Sequence, residues 1–500
     1  MSHNPSNLTD AFTLAAPGLL ADPCWHGAWF DGEWHAAEVA LATIEPATGQ
    51  VLAEVGQAGA VEVHAAAVKA AQAQLAWAAR GTEARAEVMS RAADLLNEHR
   101  VGVVEWLIRE SGSIRPKAEF EVDATVTELK HAAAQFLHAP GELLSSPDPA
   151  RLSFARRVPL GVVGVITPWN VPLYLAMRSV APALVTGNAV LLKPDPHTPV
   201  SGGVLLARLF EAAGLPAGVL AVLPGAAEAG EAVVSDPMVR MVTFTGSTAV
   251  GRRVGELAGR HIKKVALELG GNSPFIVLDD CDLPRAAAAG AFGSFFHQGQ
   301  ICMASGRHIV HRRVLDDYLE LLTRKAAALS VGNPALHSVA LGPMINSRQL
   351  TRAHALVSAS IEAGARLCTG GTYEGLYYQP TVLADVQPAM PVFAQEIFAP
   401  VAPVTVAEDE DHAVALANQT EYGLAAAVMT GRLERGLALA QRLHAGMVHI
   451  NDQTVNDLSQ APMGGRGQSG NGARFSSGTS WDEFTEWQWL TASAQVPDYP

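Results

Sequence analysis

Between residues 59 and 110, apolar positions recur at helical spacing among alanines, arginines and glutamates, which predicts a run of helices. From Leu160 the texture changes. Short apolar runs at 161–167, 189–193 and 219–223 predict strands, and the stretches 173–186 and 204–213 between them predict helices. This alternation implies βαβ units around a parallel sheet, whose strands are buried on both faces and read as unbroken apolar runs. A second run of the same texture starts at Pro274-Phe275-Ile276-Val277-Leu278 and continues to about Thr430. Two α/β domains are therefore expected, with the change near Gly270-Gly271. No internal repeat or low-complexity tract interrupts them.

Composition narrows the class. A chain of 500 residues is too long for one simple core, and 49% hydrophobic with 17% charged residues describes a compact enzyme rather than a disordered chain. The net charge of −14 argues against nucleic acid and anionic membrane surfaces as partners, because both select basic patches. No apolar run reaches the roughly 18 residues of a membrane helix. The apolar stretch 11–21 follows Asp10, and no Lys or Arg stands N-terminal to it. A loosely ordered extension over residues 1–22 is expected there rather than a secretory signal. Cys24, Cys281, Cys302 and Cys368 are too widely spaced for a metal pattern or a disulfide framework. Reduced thiols in the cytoplasm, with no metal site, are the expectation.

Two of the polar residues stand at segment ends. Cys302 closes Phe296-His297-Gln298-Gly299-Gln300-Ile301-Cys302, after an alanine-rich helical stretch and a Gly-Gln break. Glu268 follows Val265-Ala266-Leu267 and leads into Leu269-Gly270-Gly271. A lone cysteine is usually an inert core residue and a lone glutamate a solvated charge. Brought face to face, they suit covalent catalysis followed by hydrolysis, a nucleophile and then a base that activates water. A Gly-x-Gly-x-x-Gly match at Gly465-Arg466-Gly467-Gln468-Ser469-Gly470 lacks the strand-to-helix setting of a dinucleotide fingerprint. Phe244-Thr245-Gly246-Ser247, after the apolar run 239–242, is the better phosphate site or else a simple capped helix.

With these blocks in order, joined by Pro168-Trp169-Asn170, Leu192-Lys193-Pro194 and Glu396-Ile397-Phe398, nearly the whole chain resembles the aldehyde dehydrogenase superfamily. The Phe-His-Gln-Gly-Gln-Ile-Cys-Met block, Met177-Arg178-Ser179 and Trp487-Gln488-Trp489 look most like benzaldehyde- and vanillin-type members. The resemblance implies a dinucleotide-binding domain from residues 23–140 and 160–269 and a catalytic domain over 270–467. It also implies an oligomerisation arm, 141–159, that pairs with the C-terminal strand (480–500) of a neighbouring subunit in a homodimer or homotetramer.

The same resemblance implies NAD(P)-dependent oxidation of an aldehyde, expected to be aromatic and benzaldehyde-like, to the carboxylic acid. Cys302 is then the nucleophile, Asn170 the oxyanion donor and Glu268 the hydrolytic base. Ile166, Thr167, Trp169, Lys193, Gly246, Ser247, Leu269, Glu396 and Phe398 hold the cofactor. Val171, Leu175, Arg178, Phe296, Met303 and Met463 line the substrate channel. Arg178 either meets a polar group of the substrate or forms a structural ion pair. Two departures stand out. Pro196 replaces a glutamate that in NAD-preferring relatives bonds the ribose, so NAD is expected and NADP remains open. Ser179 and Arg474 replace a lysine and a glutamate that relay protons from the base. Rival readings are a semialdehyde or aliphatic aldehyde dehydrogenase, a CoA-acylating enzyme, a thiol esterase and a scaffold that keeps only the fold.

Overall fold

The computed structural model describes residues 18–476, 478–496 and 499. Its first sheet holds strands β1 (Ala28–Phe30), β2 (Trp34–Ala36), β3 (Val162–Ile166), β4 (Ala189–Lys193), β5 (Leu220–Val222), β6 (Val239–Thr245) and β7 (Lys264–Glu268). They lie in the order β7-β6-β3-β4-β5-β1-β2. β3 to β7 run parallel, and β1 joins β5 antiparallel. β3 and β4 are buried at every position, which is why the sequence shows them as unbroken apolar runs.

The second sheet holds β8 (Pro274–Val277), β9 (Arg307–His311), β10 (Arg366–Thr369), β11 (Thr381–Ala384), β12 (Val401–Ala407), β13 (Ala425–Met429) and β14 (Met447–Ile450). Their order is β10-β11-β12-β9-β8-β13-β14, parallel except for the β10–β11 pair. Only 269–273 separate the last strand of the first sheet from the first strand of the second, so the two sheets meet where the sequence texture changes. Ala473, Phe475 and Phe484 return to the core of the first sheet.

The helical texture of 59–110 resolves into α1 (Ala60–Ala79), α2 (Thr82–Glu98) and α3 (Arg100–Ser111), followed by α4 (Arg115–Ala134). α4 starts with Pro116 in its first turn, where a missing N–H costs nothing. Its buried face carries Lys117, Glu121, Val122, Thr125, Glu128 and Leu129. Those charged residues lie against α5 (Pro172–Val185), which is buried along almost its full length.

One expectation needs correction. The C-terminal strand Thr485–Ser493 pairs antiparallel with Arg151–Pro159 of its own chain, from Thr485 opposite Pro159 to Ser493 opposite Arg151. Pairing in cis follows because the short helix Thr479–Glu483 brings the tail back beside the arm, where Lys264 holds the carbonyls of Asp482 and Glu483. The expected extension at 1–22 lies outside the described residues as far as 17. Within it, Leu19 is 8% exposed in the first core and its carbonyl accepts a 2.9 Å bond from Arg208 Nε, while Ala21 and Asp22 are exposed. Among the described residues, no helix is long and apolar enough to cross a membrane.

Candidate active site

Glu268 is the last residue of β7, an edge strand. An edge leaves backbone groups unpaired, and here the Gly-rich run beyond Met463 covers it. Leu269 N–H donates to Ser469 O (3.0 Å), Glu268 pairs with Gly470, and Asn471 Oδ1 accepts from Leu267 N–H (3.0 Å). The Gly-x-Gly-x-x-Gly match at 465–470 thus holds the strand that carries Glu268.

The next two residues bring the second half of the site in. A Cβ at Gly270 would stand 2.4 Å from Glu396 Oε2, and one at Gly271 would stand 2.3 Å from the carbonyl oxygen of Cys302. Gly271 N–H donates to Glu396 Oε1 at 2.9 Å. Only glycines permit such an approach. Arg352 anchors the far side of this turn through the carbonyls of Glu396 and Ile397.

Cys302 is delivered by a strained turn. His297, Gln298 and Gly299 lie consecutively in the left-handed region, with φ of 49°, 57° and 65°. For the two non-glycine residues this costs on the order of 1 kcal/mol each. Gln298 Nε2 restrains the turn by donating to Gly112 O (3.0 Å) and Pro343 O (2.8 Å). Asn170 Nδ2 donates to Gln300 O at 2.8 Å, two residues before Cys302. The structure therefore gathers Glu268, Cys302, Asn170 and Glu396, which are distant in sequence.

The electrostatics of the site suppress charge. Burial pushes the Glu268 carboxyl up to about 8, against the pull of Arg178 and Arg474. Neither carboxylate oxygen has a hydrogen-bond partner among the described residues, and the Gly465 N–H lies near enough only for a minor lowering effect. Burial pushes the Glu396 carboxyl up to about 7, with Gly271 N–H and Arg352 opposing. Burial, then the charges of Glu396, Glu268 and Asp457, raise the Cys302 thiol well above its ordinary value. The free site therefore holds a protonated thiol beside a carboxyl that loses its proton near neutral pH.

Around the thiol lies an apolar wall. Phe296, Met303, Ile301, Leu424 and Val455 pack with Cys302, and Phe296 stacks on Phe292 at 4.6 Å between centroids. Val171, Leu175 and Arg178 share one face at the start of α5, by their spacing of four and three residues. Val171 and Leu175 are half-buried while their neighbours are fully buried. Met463 is buried, paired through its backbone with Phe475.

For Arg178 the structure decides between two readings. Its guanidinium is ion-paired with Asp457, donates to Tyr174 Oη (2.7 Å) and Phe475 O (2.7 Å), and the residue is 3% exposed. A cation so engaged is the structural ion pair, one of the two readings that the sequence left open. Tyr174 and Asp457 were not singled out by sequence reasoning. Tyr174 carried a weak signal, four residues before Arg178 on one helix; Asp457, in a loop without periodicity, carried none. Ser179 is buried, and Arg474 donates to Gly465 O (3.0 Å) and Ala473 O (2.7 Å), so neither forms a lysine–glutamate relay.

A cavity of about 450 Å³ opens at the C-terminal ends of β3, β4 and β6, lined by Ile166, Thr167, Lys193, Phe244, Gly246 and Ser247. This is where an open α/β sheet binds ligands. Ser247, in the cavity lining, caps the helix Thr248–Arg260 by accepting from Val250 N–H, and the other first-turn amides lack helical partners. Gly246 has no side chain because a Cβ there would meet the Phe244 ring at 2.6 Å. Thr167 Oγ1 is buried without a partner among the described residues. Leu269 packs so closely on the helix that a Cβ at Gly251 would lie 2.3 Å from it. Trp169 and Phe398 meet edge to face at 5.5 Å near the cleft. An orphaned hydroxyl, a free helix start and a buried lysine fit a dinucleotide.

Comparison with known proteins agrees with this geometry. Residues 34–490 match the aldehyde dehydrogenase family. A vanillin dehydrogenase of Amycolatopsis is 54% identical, over 96% of this chain and 99% of that one. A benzaldehyde dehydrogenase [NAD(+)] of Pseudomonas putida is 49% identical, over 96% and 98%. Among solved structures, an NAD-dependent benzaldehyde dehydrogenase from Corynebacterium glutamicum superposes with a TM-score of 0.86 at 41% identity, covering 95% of this chain and 98% of that one.

Two outcomes follow from the geometry. Alkylation of Cys302 by iodoacetamide, followed by peptide mass, should be slow at neutral pH in the free protein and speed up as pH rises, because the thiol is held protonated. Fast, pH-independent modification near neutrality would contradict a raised thiol. Arg178→Ala leaves Asp457 buried and unpaired, and should destabilise the protein by about 3–5 kcal/mol in chemical denaturation. Arg178→Met combined with Asp457→Leu should recover most of that loss; a single-variant loss below about 1 kcal/mol would refute the buried pair.

Proposed function

Given that the chain belongs to the aldehyde dehydrogenase family, we propose that it oxidises aromatic aldehydes of the benzaldehyde and vanillin type to carboxylic acids, with NAD as cofactor. The observation that carries this reading is the meeting of Cys302 with the buried, unpartnered carboxylate of Glu268 across the Gly270-Gly271 turn.

Cys302, protonated in the free site, releases its proton to solvent water and attacks the carbonyl carbon as thiolate, forming a C–S bond and moving the carbonyl electron pair onto oxygen. The Asn170 amide has two N–H groups; Gln300 O engages one, and the other is free to meet the oxyanion together with the Cys302 N–H. NAD, when bound, accepts the hydride that the tetrahedral carbon gives up, leaving a thioester on Cys302. Glu268 then takes a proton from water, the water oxygen adds to the thioester, and the C–S bond breaks to release the acid. A buried carboxyl with a pKa of about 8 suits this proton transfer. In the cofactor cleft, Lys193 and Glu396 are the groups that would hold the two riboses, and the start of the helix after Ser247 the phosphates. With hydrolysis as the second step, the retained base disfavours a CoA-acylating enzyme, and the assembled site disfavours a bare scaffold.

The wall of Phe296, Met303, Ile301 and Val455 supports an aromatic substrate through polarizable apolar contact. NAD is preferred on the strength of the relatives; Pro196 itself neither bonds a ribose nor repels a 2′-phosphate, and Asp195 Oδ1 is engaged by His197. Four unpaired cysteines among the described residues support a reducing cytoplasm. The exposed Leu143, Leu152 and Trp489 on the arm sheet support self-association as a homodimer or homotetramer.

A panel of benzaldehyde, vanillin, succinic semialdehyde, hexanal and acetaldehyde with NAD and NADP, followed by cofactor absorbance, tests the assignment. The aromatic aldehydes with NAD should give the highest kcat/KM. Acetaldehyde or the semialdehyde outrunning benzaldehyde would overturn the aromatic reading, and no reduction of either cofactor would overturn the activity. In a kcat–pH profile, the raised carboxyl must be deprotonated to act, so turnover should climb with pH and level off above about 8. Glu268→Gln should abolish that limb; a rising limb that survives in the variant would assign it to another group.

A further inference from the structure

Beneath Asn170 lies a pair of charges that the chemistry above does not use. Lys117 and Glu121, one helical turn apart on α4, are 1% and 0% exposed, and Lys117 Nζ lies 2.5 Å from Glu121 Oε2. Each end of the pair also grips the same short turn. Lys117 Nζ donates to the backbone carbonyl of Asn170 at 2.8 Å. Glu121 Oε1 accepts from the N–H groups of Leu173 (2.8 Å) and Tyr174 (3.3 Å), which the first turn of α5 leaves without helical partners. The His297 ring is fully buried, and burial together with the Lys117 charge holds its pKa well below the ordinary imidazole value.

Stability alone does not explain such an arrangement. A buried ion pair is often no more stable than an apolar replacement of similar volume, because desolvation offsets its attraction. Its value is directional. The ammonium fixes the peptide that carries the Asn170 side chain, while the carboxylate fixes the peptides three and four residues on. Between them they define the backbone of residues 170–174 from one rigid helix. The Asn170 amide is then held from a third side by Gln300 O, itself two residues from Cys302.

We propose that Lys117 and Glu121 are positioning residues that act through the 170–174 turn to hold the Asn170 amide at the developing oxyanion. This rests on the reading of Asn170 as an oxyanion donor. Preorganised donors lose their effect when displaced by a fraction of an ångström, so the pair bears on the first chemical step and not on cofactor affinity.

The test is the single-turnover rate constant of NADH formation from benzaldehyde, with the Kd for NAD measured alongside. Asn170→Ala should slow the step by roughly 100-fold. Lys117→Met should slow it by about tenfold or more with Kd for NAD unchanged, and Lys117→Gln, which keeps a donor, should recover part of the loss. In the Asn170→Ala background, Lys117→Met should change the rate by less than about twofold, since both changes remove one effect. If Lys117→Met does not fold, Lys117→Met with Glu121→Gln removes both charges without leaving one unpaired, and carries the same expectations. Multiplicative losses in the combined variant, or a native rate in folded Lys117→Met, would overturn the proposal. A native rate in Asn170→Ala would instead overturn the reading of Asn170 on which it rests.

Discussion

The absence of side chains at Gly270 and Gly271 is the constraint on which this site depends. Two parallel sheets with separate cores meet here, and the join has to pass two backbone segments within contact distance. A single Cβ at either position would occupy the place of the Glu396 carboxylate or the Cys302 carbonyl. Because the turn is bare, the end of β7 places Glu268 on one side of it and the second sheet places Cys302 and Glu396 on the other. The remaining supports serve the same join: the 469–471 run holds the edge of β7, and the left-handed turn at 297–299 delivers the cysteine.

Burial at this join has an electrostatic consequence. Glu268, Glu396 and Cys302 are all pushed toward their uncharged forms by desolvation, and the charges of Glu396, Glu268 and Asp457 raise the Cys302 thiol further. Nearby Glu128 is raised as well, to about 7, while Arg178 and Asp457 keep a compensated pair of charges between these groups. A site of this kind moves protons easily near neutral pH, because its carboxyls sit close to the balance between charged and neutral. The cost is that a nucleophile in such surroundings is quiet until its proton is drawn away. That suits an enzyme whose thiol must not react before the site is filled.

Much of this was legible in the sequence because the relevant residues sit at the ends of strongly patterned segments. The buried strands β3, β4 and β8 show as apolar runs, and Glu268, Lys193 and Gly246-Ser247 follow the ends of such runs directly. What could not be read was anything that depends on a third segment. The engagement of Arg178 by Asp457 joins a helix to a loop with no periodicity, and the sequence left its role open. The glycines at 465–470 were separable from a dinucleotide motif by their setting, yet their actual partner, the edge of β7, is some 200 residues away. Lys117 and Glu121 drew no reading from the sequence, since nothing local shows that their face of α4 is buried. The tail strand carried a strand pattern but not the identity of its partner, which is its own arm.

The central claim is that Cys302 carries the substrate as a thioester that Glu268 resolves. Its most direct measurement is the mass of the Cys302 peptide after Glu268→Gln is mixed with benzaldehyde and NAD, quenched in acid and digested. The account predicts a benzoyl group on that peptide, accumulating to a large fraction of the enzyme in the variant and to little in the native protein. An unmodified Cys302 peptide despite NADH formation, or a benzoyl group found on another residue, would contradict it.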